Sequence, residues 1–111
     1  MSPTFLVVLT EAQYQPVVMM VSGDSRIFSG ESVRLNCSIA GEISTSWRYQ
    51  WFRGEQQLLE SEEFYLWNAN HRESGKYSCQ GTSERDILGP VETTHSLPLE
   101  INVDSKHWKD L

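Results

Sequence analysis

The stretch Glu73-Ser74-Gly75-Lys76-Tyr77-Ser78-Cys79 constrains this chain more than any other. On an extended strand, residues two apart share a face, so Tyr77 and Cys79 point into one core. The other cysteine, Cys37, closes Val33-Arg34-Leu35-Asn36-Cys37, where Val33, Leu35 and Cys37 alternate onto a single face. Between the two cysteines lies Tyr49-Gln50-Trp51-Phe52, with Trp51 as the large ring for the same interior.

The order Cys, Trp, Tyr-x-Cys resembles an immunoglobulin-type fold, an all-β sandwich of two antiparallel sheets. The resemblance implies a Cys37–Cys79 bridge between the sheets, packed against Trp51 beside Leu35. It also implies that the Tyr77 hydroxyl turns onto backbone at the preceding corner. A chain of 111 residues is one domain in size. Two cysteines joined in one bridge suit an oxidising compartment and leave none for a metal.

Charge and composition exclude several functions. The formal net charge is −6, and the six Arg and three Lys are scattered, so no basic surface is available for nucleic acid. No apolar run is long enough to span a membrane, and no membrane contact by this segment is expected. His71, His95 and His107 show no metal-ligand spacing, and no activated nucleophile is present. Glu60, Glu62 and Glu63 read as a solvated turn, because a calcium loop needs Asp and Asn at alternate positions. No enzyme, cofactor or metal is therefore expected.

Along the chain, residues 1–13, with Phe5-Leu6-Val7-Val8-Leu9, read as a residual signal segment or the end of a preceding domain. The domain is expected over 14–104. Strand A is Pro16–Val21, with Pro at an edge, and Arg26–Phe28 is a short second segment. Strand B is Ser32–Ile39, and the polar Ala40–Ser46 makes the BC loop. Strand C is Trp47–Arg53, C′ is Gln56–Glu60, E is Phe64–Ala69 and F is Lys76–Gly81. So few residues separate C′ from E that a C″ strand has no room, which argues for a C2 or I-like domain. Thr82–His95 is a long FG loop. Leu97, Leu99, Ile101 and Val103 alternate as strand G, with Pro98 outward, and residues 105–111 form a linker or tail.

Phe64–His71 running into Glu73–Gly81 resembles the E–F segment of leukocyte Fc receptors and Fc receptor-like proteins. Gly30–Cys37 and Ser96–Val103 are also similar to that family. Trp47-Arg48-Tyr49 and the long FG loop depart from it. The resemblance implies an extracellular part of a type I immune receptor built from several such domains. It further implies ligand contact through the BC, C′ and FG regions, with Trp side chains clamping a ligand Pro. By position these are Ala40–Trp47, Gln56–Glu60 and Thr82–Glu92.

Candidate ligand-binding residues are Trp47, Arg48, Arg85, Ile87 and Leu88. Trp47 either caps the core or anchors a partner, and Trp is a frequent hot-spot residue. Ile87 and Leu88 either meet a ligand or fold back onto the sandwich. Tyr65 and Trp67 point outward on the opposite sheet, either against a neighbouring domain or second copy, or as plain surface aromatics. Asn36-Cys37-Ser38 fits the N-glycosylation pattern with Asn36 outward, and oxidation of Cys37 competes with modification. Two functions compete. One is a receptor ectodomain recognising an immunoglobulin Fc or an MHC-like molecule; the other is an adhesive module that spaces domains or pairs with itself.

Overall fold

The computed structural model describes residues 14–40, 47–83 and 91–105. The strands are β1 (Pro16–Ser22), β2 (Arg26–Phe28), β3 (Val33–Ile39), β4 (Arg48–Arg53), β5 (Gln56–Glu60), β6 (Glu63–Leu66), β7 (Gly75–Ser83), β8 (Val91–Glu92) and β9 (Leu99–Asp104). One sheet has the order β1-β3-β6; the other runs β2-β9-β7-β4-β5, with β8 on the end of β7. This is the expected all-β immunoglobulin-like sandwich. Only Ser61 and Glu62 separate β5 from β6, so the chain passes from C′ to E without a C″ strand. Among the described residues all strand pairings are antiparallel except that of β2 with β9. The chain changes sheets after β1 at Gly23, where φ is 97° and a Cβ would lie 2.8 Å from the Ser32 carbonyl oxygen.

The core follows from strand alternation. Val33, Leu35 and Cys37 of β3 face Trp51 of β4 and Tyr77 and Cys79 of β7, and all six are fully buried. Phe64 lies between the Trp51 and Tyr77 rings, at 5.5 and 5.3 Å between centroids. Each such side chain contributes about 1.5–3 kcal/mol through burial. Cys37 and Cys79 are disulfide-bonded, 42 residues apart in sequence. Closing that length of chain removes roughly 4 kcal/mol of unfolded-state entropy.

The corner before β7 is built by side chains. Asn70 caps a single 3-10 turn, His71–Glu73, in which Asn70 and Glu73 each accept a backbone N–H from the other's end of the turn. The Tyr77 hydroxyl donates to the Glu73 carbonyl and accepts from Arg53 Nη1 at 3.3 Å. Burial pushes the Tyr77 phenol above its ordinary value of 10.0, with Arg53 opposing, and burial beside Glu62 does the same to Tyr49. In the unfolded chain these phenols ionise first, so their contribution is complete below pH 10 and is lost as pH rises through the folded values. The melting temperature should therefore fall above pH 10. Tyr77→Phe should flatten that fall while costing about 1 kcal/mol at neutral pH for the lost hydrogen bonds.

The return strand differs from the expected pattern. Leu97 is 87% exposed and precedes β9, rather than alternating inward with Leu99, Ile101 and Val103. The cause lies in side chains that replace backbone in the ladder. Ser96 Oγ accepts from Cys79 N at 3.0 Å, and Thr93 Oγ1 accepts from Gly81 N at 3.0 Å. Ser96 is buried, Leu97 and Pro98 both face out, and Leu99 turns back in, so the alternation slips by one residue. Strand β7 also runs to Ser83, and Thr82 and Ser83 pair with Glu92 and Val91, so the FG connection begins two residues later than expected.

Candidate functional site

The stems of the BC and FG loops converge on Gly81. A Cβ added there would lie 2.2 Å from Ile39 Cδ1, at the end of β3, and 3.1 Å from Trp47 Cε3, just before β4. Gly81 thus lets the Trp47 ring lie directly on the β7 backbone. Trp47 also meets the buried Tyr14 ring at 5.6 Å between centroids, tilted by 55°. Trp47 is half-buried, so it covers this end of the core while keeping part of the indole in solvent.

Beside Trp47 is an open cleft of ≈ 240 Å³ lined by Trp47, Arg48, Tyr49, Glu60, Ser61 and Glu62. Its geometry originates in a bulge. The β4–β5 register shifts between Gln50 and Phe52, and the Gln50 carboxamide donates to the Leu58 and Leu59 carbonyls at 3.0 and 3.1 Å. Gln57 Nε2 in turn donates to Gln50 Oε1 at 3.0 Å. Bulges twist a strand end and re-aim its side chains, and here the twisted end carries Glu60. The next residue is pinned from two sides. Ser61 N donates to the Tyr49 carbonyl at 2.8 Å, and the core Trp51 indole donates to the Ser61 carbonyl at 2.7 Å.

The cleft therefore sets an aromatic wall and the Arg48 side chain against two exposed carboxylates, Glu60 and Glu62. Arg48 opens β4 opposite Thr82 of β7, on the strand that carries the FG connection. This surface suits a polypeptide with an apolar residue for Trp47 and a basic group for the glutamates. Among the described residues no cluster of three or more His, Cys, Asp or Glu could hold a metal ion.

Of the predicted ligand residues, Trp47 and Arg48 meet in this cleft; Arg85, Ile87 and Leu88 lie outside the described residues, as do 1–13, 41–46 and 106–111. Glu60 falls in the predicted Gln56–Glu60 stretch and Tyr49 in the Trp47-Arg48-Tyr49 departure, whereas Tyr14, Ser61 and Glu62 are not among the predicted ligand residues. The signal available was Tyr49, which shares alternation with Trp47 and Trp51 and so borders the same edge. On the opposite sheet Tyr65 and Trp67 do face outward, 54% and 69% exposed, with their rings 5.5 Å apart in an edge contact.

This architecture defines an immunoglobulin-type domain. The sequence profile of the immunoglobulin domain family matches residues 15–103, and the chain belongs to that family. Among 151 matching solved chains is a marsupial T cell receptor, with a TM-score of 0.65 at 14% sequence identity. The match covers 86% of this chain and 39% of that one, and it shows the fold. No curated protein gives a significant match. The family is typically non-enzymatic. A disulfide-bonded domain of this kind is typical of extracellular proteins, and among the described residues no helix is long and apolar enough to cross a membrane.

Proposed function

We propose that this domain is a ligand-binding module in the extracellular part of an Fc receptor-like immune cell-surface receptor. The ligand is a protein, an immunoglobulin Fc or an MHC-like molecule, met by the BC/FG end of the sandwich. The observation that carries the reading is the cleft beside Trp47, where the start of β4 and the end of β5 present aromatics and charges of both signs at one place, next to Gly81 of β7. Rigid strands holding adaptable loops are where recognition residues concentrate. A buried aromatic anchor within a charged rim is the usual anatomy of a protein-binding hot spot. The resemblance of Phe64–Gly81 to the Fc receptor E–F segment supports the receptor class.

The exposed Tyr65 and Trp67 favour a second reading, an adhesive or spacing module that uses the β1-β3-β6 face. Titrating the secreted domain against immobilised immunoglobulin Fc and a panel of MHC-like ectodomains separates the two. Saturable binding that weakens with salt supports the receptor reading, because rim charges act mainly on association. No binding, together with concentration-dependent self-association, supports the adhesive one.

A further inference from the structure

We infer that Asn36 carries an N-linked oligosaccharide, and that this sugar covers the outer face of the β1-β3-β6 sheet. Five of the eight large exposed apolar residues among the described residues lie there: Val17, Met19 and Val21 on β1, and Tyr65 and Trp67 at β6. They form two apolar strips on either side of the polar outer row of β3 and its Arg34–Glu63 ion pair at 3.1 Å, and exposed apolar surface gathered on one face marks a contact surface. The register places Asn36 at its centre. Asn36 pairs with Met19 on one side and Glu63 on the other, about 4.8 Å away by strand spacing. Tyr65, which pairs with Arg34, is its diagonal neighbour at about 7–8 Å. A sugar leaving Asn36 therefore emerges between the β1 aliphatic row and the Tyr65–Trp67 pair.

The sequence contains four asparagines, and only Asn36 is followed two residues later by Ser or Thr. Asn36 and Ser38 lie two apart on β3, so both project to the outer face; Asn36 is half-buried and Ser38 exposed. The chemistry needs a polyprenyl-diphosphate-linked oligosaccharide and the transferase of the secretory pathway. The Asn36 Nδ2 attacks the anomeric carbon of the sugar. The bond from that carbon to the phosphate oxygen breaks, and the lipid diphosphate leaves with the electron pair. One amide proton goes to a base of the transferase.

In the folded domain β3 is hydrogen-bonded on both sides, so transfer precedes sheet formation. Cys79 lies 42 residues further along. In a chain entering from its N-terminus, Cys37 therefore has no bridge partner yet when Asn36 first becomes accessible. Attached sugar is bulky and solubilising. The same face is then closed to a second copy. This inference needs passage through the secretory pathway and is independent of the ligand assignment.

The test is expression of the chain behind a secretion leader in eukaryotic cells, with peptide-N-glycosidase treatment, gel mobility and intact mass. One glycan is expected, absent from both Asn36→Gln and Ser38→Ala; the second variant keeps Asn36 itself. Sedimentation should show wild type as monomer. Ser38→Ala should approach twice the monomer mass with rising concentration, and Trp67→Ser added to it should restore the monomer. Secreted wild type lacking any glycosidase-sensitive mass overturns the inference. So does a Ser38→Ala protein that stays monomeric with the same dye-binding fluorescence as the glycosylated form.

Discussion

Cys79→Ala should lower the unfolding free energy by about 2–5 kcal/mol, the usual worth of a native bridge in a small secreted domain. The bond closes the chain across 42 residues and joins the centres of both sheets, between the fully buried Leu35 and Trp51. Its loss releases entropy to the unfolded chain and leaves Cys37 buried without its partner. Urea denaturation is the measurement. The midpoint should fall, and the slope should rise, because an unbridged unfolded chain exposes more surface. Equal midpoints for the variant and the wild type would mean that the bridge adds nothing to this core.

Trp51→Ala should cost about 3–5 kcal/mol, since a fully buried indole leaves a cavity that close-packed neighbours fill poorly. Trp51→Phe separates two effects. It keeps a ring against Phe64 but removes the Nε1–H that satisfies the Ser61 carbonyl at 2.7 Å. That removes one hydrogen bond to a carbonyl that water can reach, at about 0.5–1.5 kcal/mol. The Trp51→Phe change should also loosen the Ser61–Glu62 wall of the cleft and weaken ligand binding at a distance. Trp67→Ser, on an exposed ring, should stay within about 0.5 kcal/mol of the wild type.

What was legible in the sequence was the part written in alternation. Val33-x-Leu35-x-Cys37 and Tyr77-x-Cys79 each repeat with period two, and a half-buried strand has no other way to meet a core. What was not legible was written in side chains that replace backbone. Ser96 and Thr93 occupy ladder positions as hydroxyl acceptors, so Leu97 faces solvent although its spacing matches Leu99, Ile101 and Val103. The Gln50 carboxamide likewise fills the β4–β5 bulge that shapes the cleft, and nothing in the spacing of polar residues announces a bulge. Trp47 was legible as a residue at the loop end of strand C. Its packing on Gly81 and Tyr14 was not, because these lie more than thirty residues away on either side.

The proposed ligand surface is open to one direct measurement. Surface plasmon resonance of the secreted domain should be run on whichever immobilised probe it binds, Fc or MHC-like. Wild type is compared with Trp47→Ala, Glu62→Lys and Trp67→Ser, each first checked for an unchanged far-ultraviolet spectrum. If the BC/FG end is the binding surface, Trp47→Ala costs on the order of 2 kcal/mol, about 30-fold in Kd and mostly in dissociation. Glu62→Lys then changes association and its salt dependence, while Trp67→Ser binds as wild type does. Binding that survives Trp47→Ala, Glu62→Lys and replacement of 84–88 by Gly-Ser, yet is lost in Trp67→Ser, would place the ligand on the β1-β3-β6 face and contradict the proposed surface.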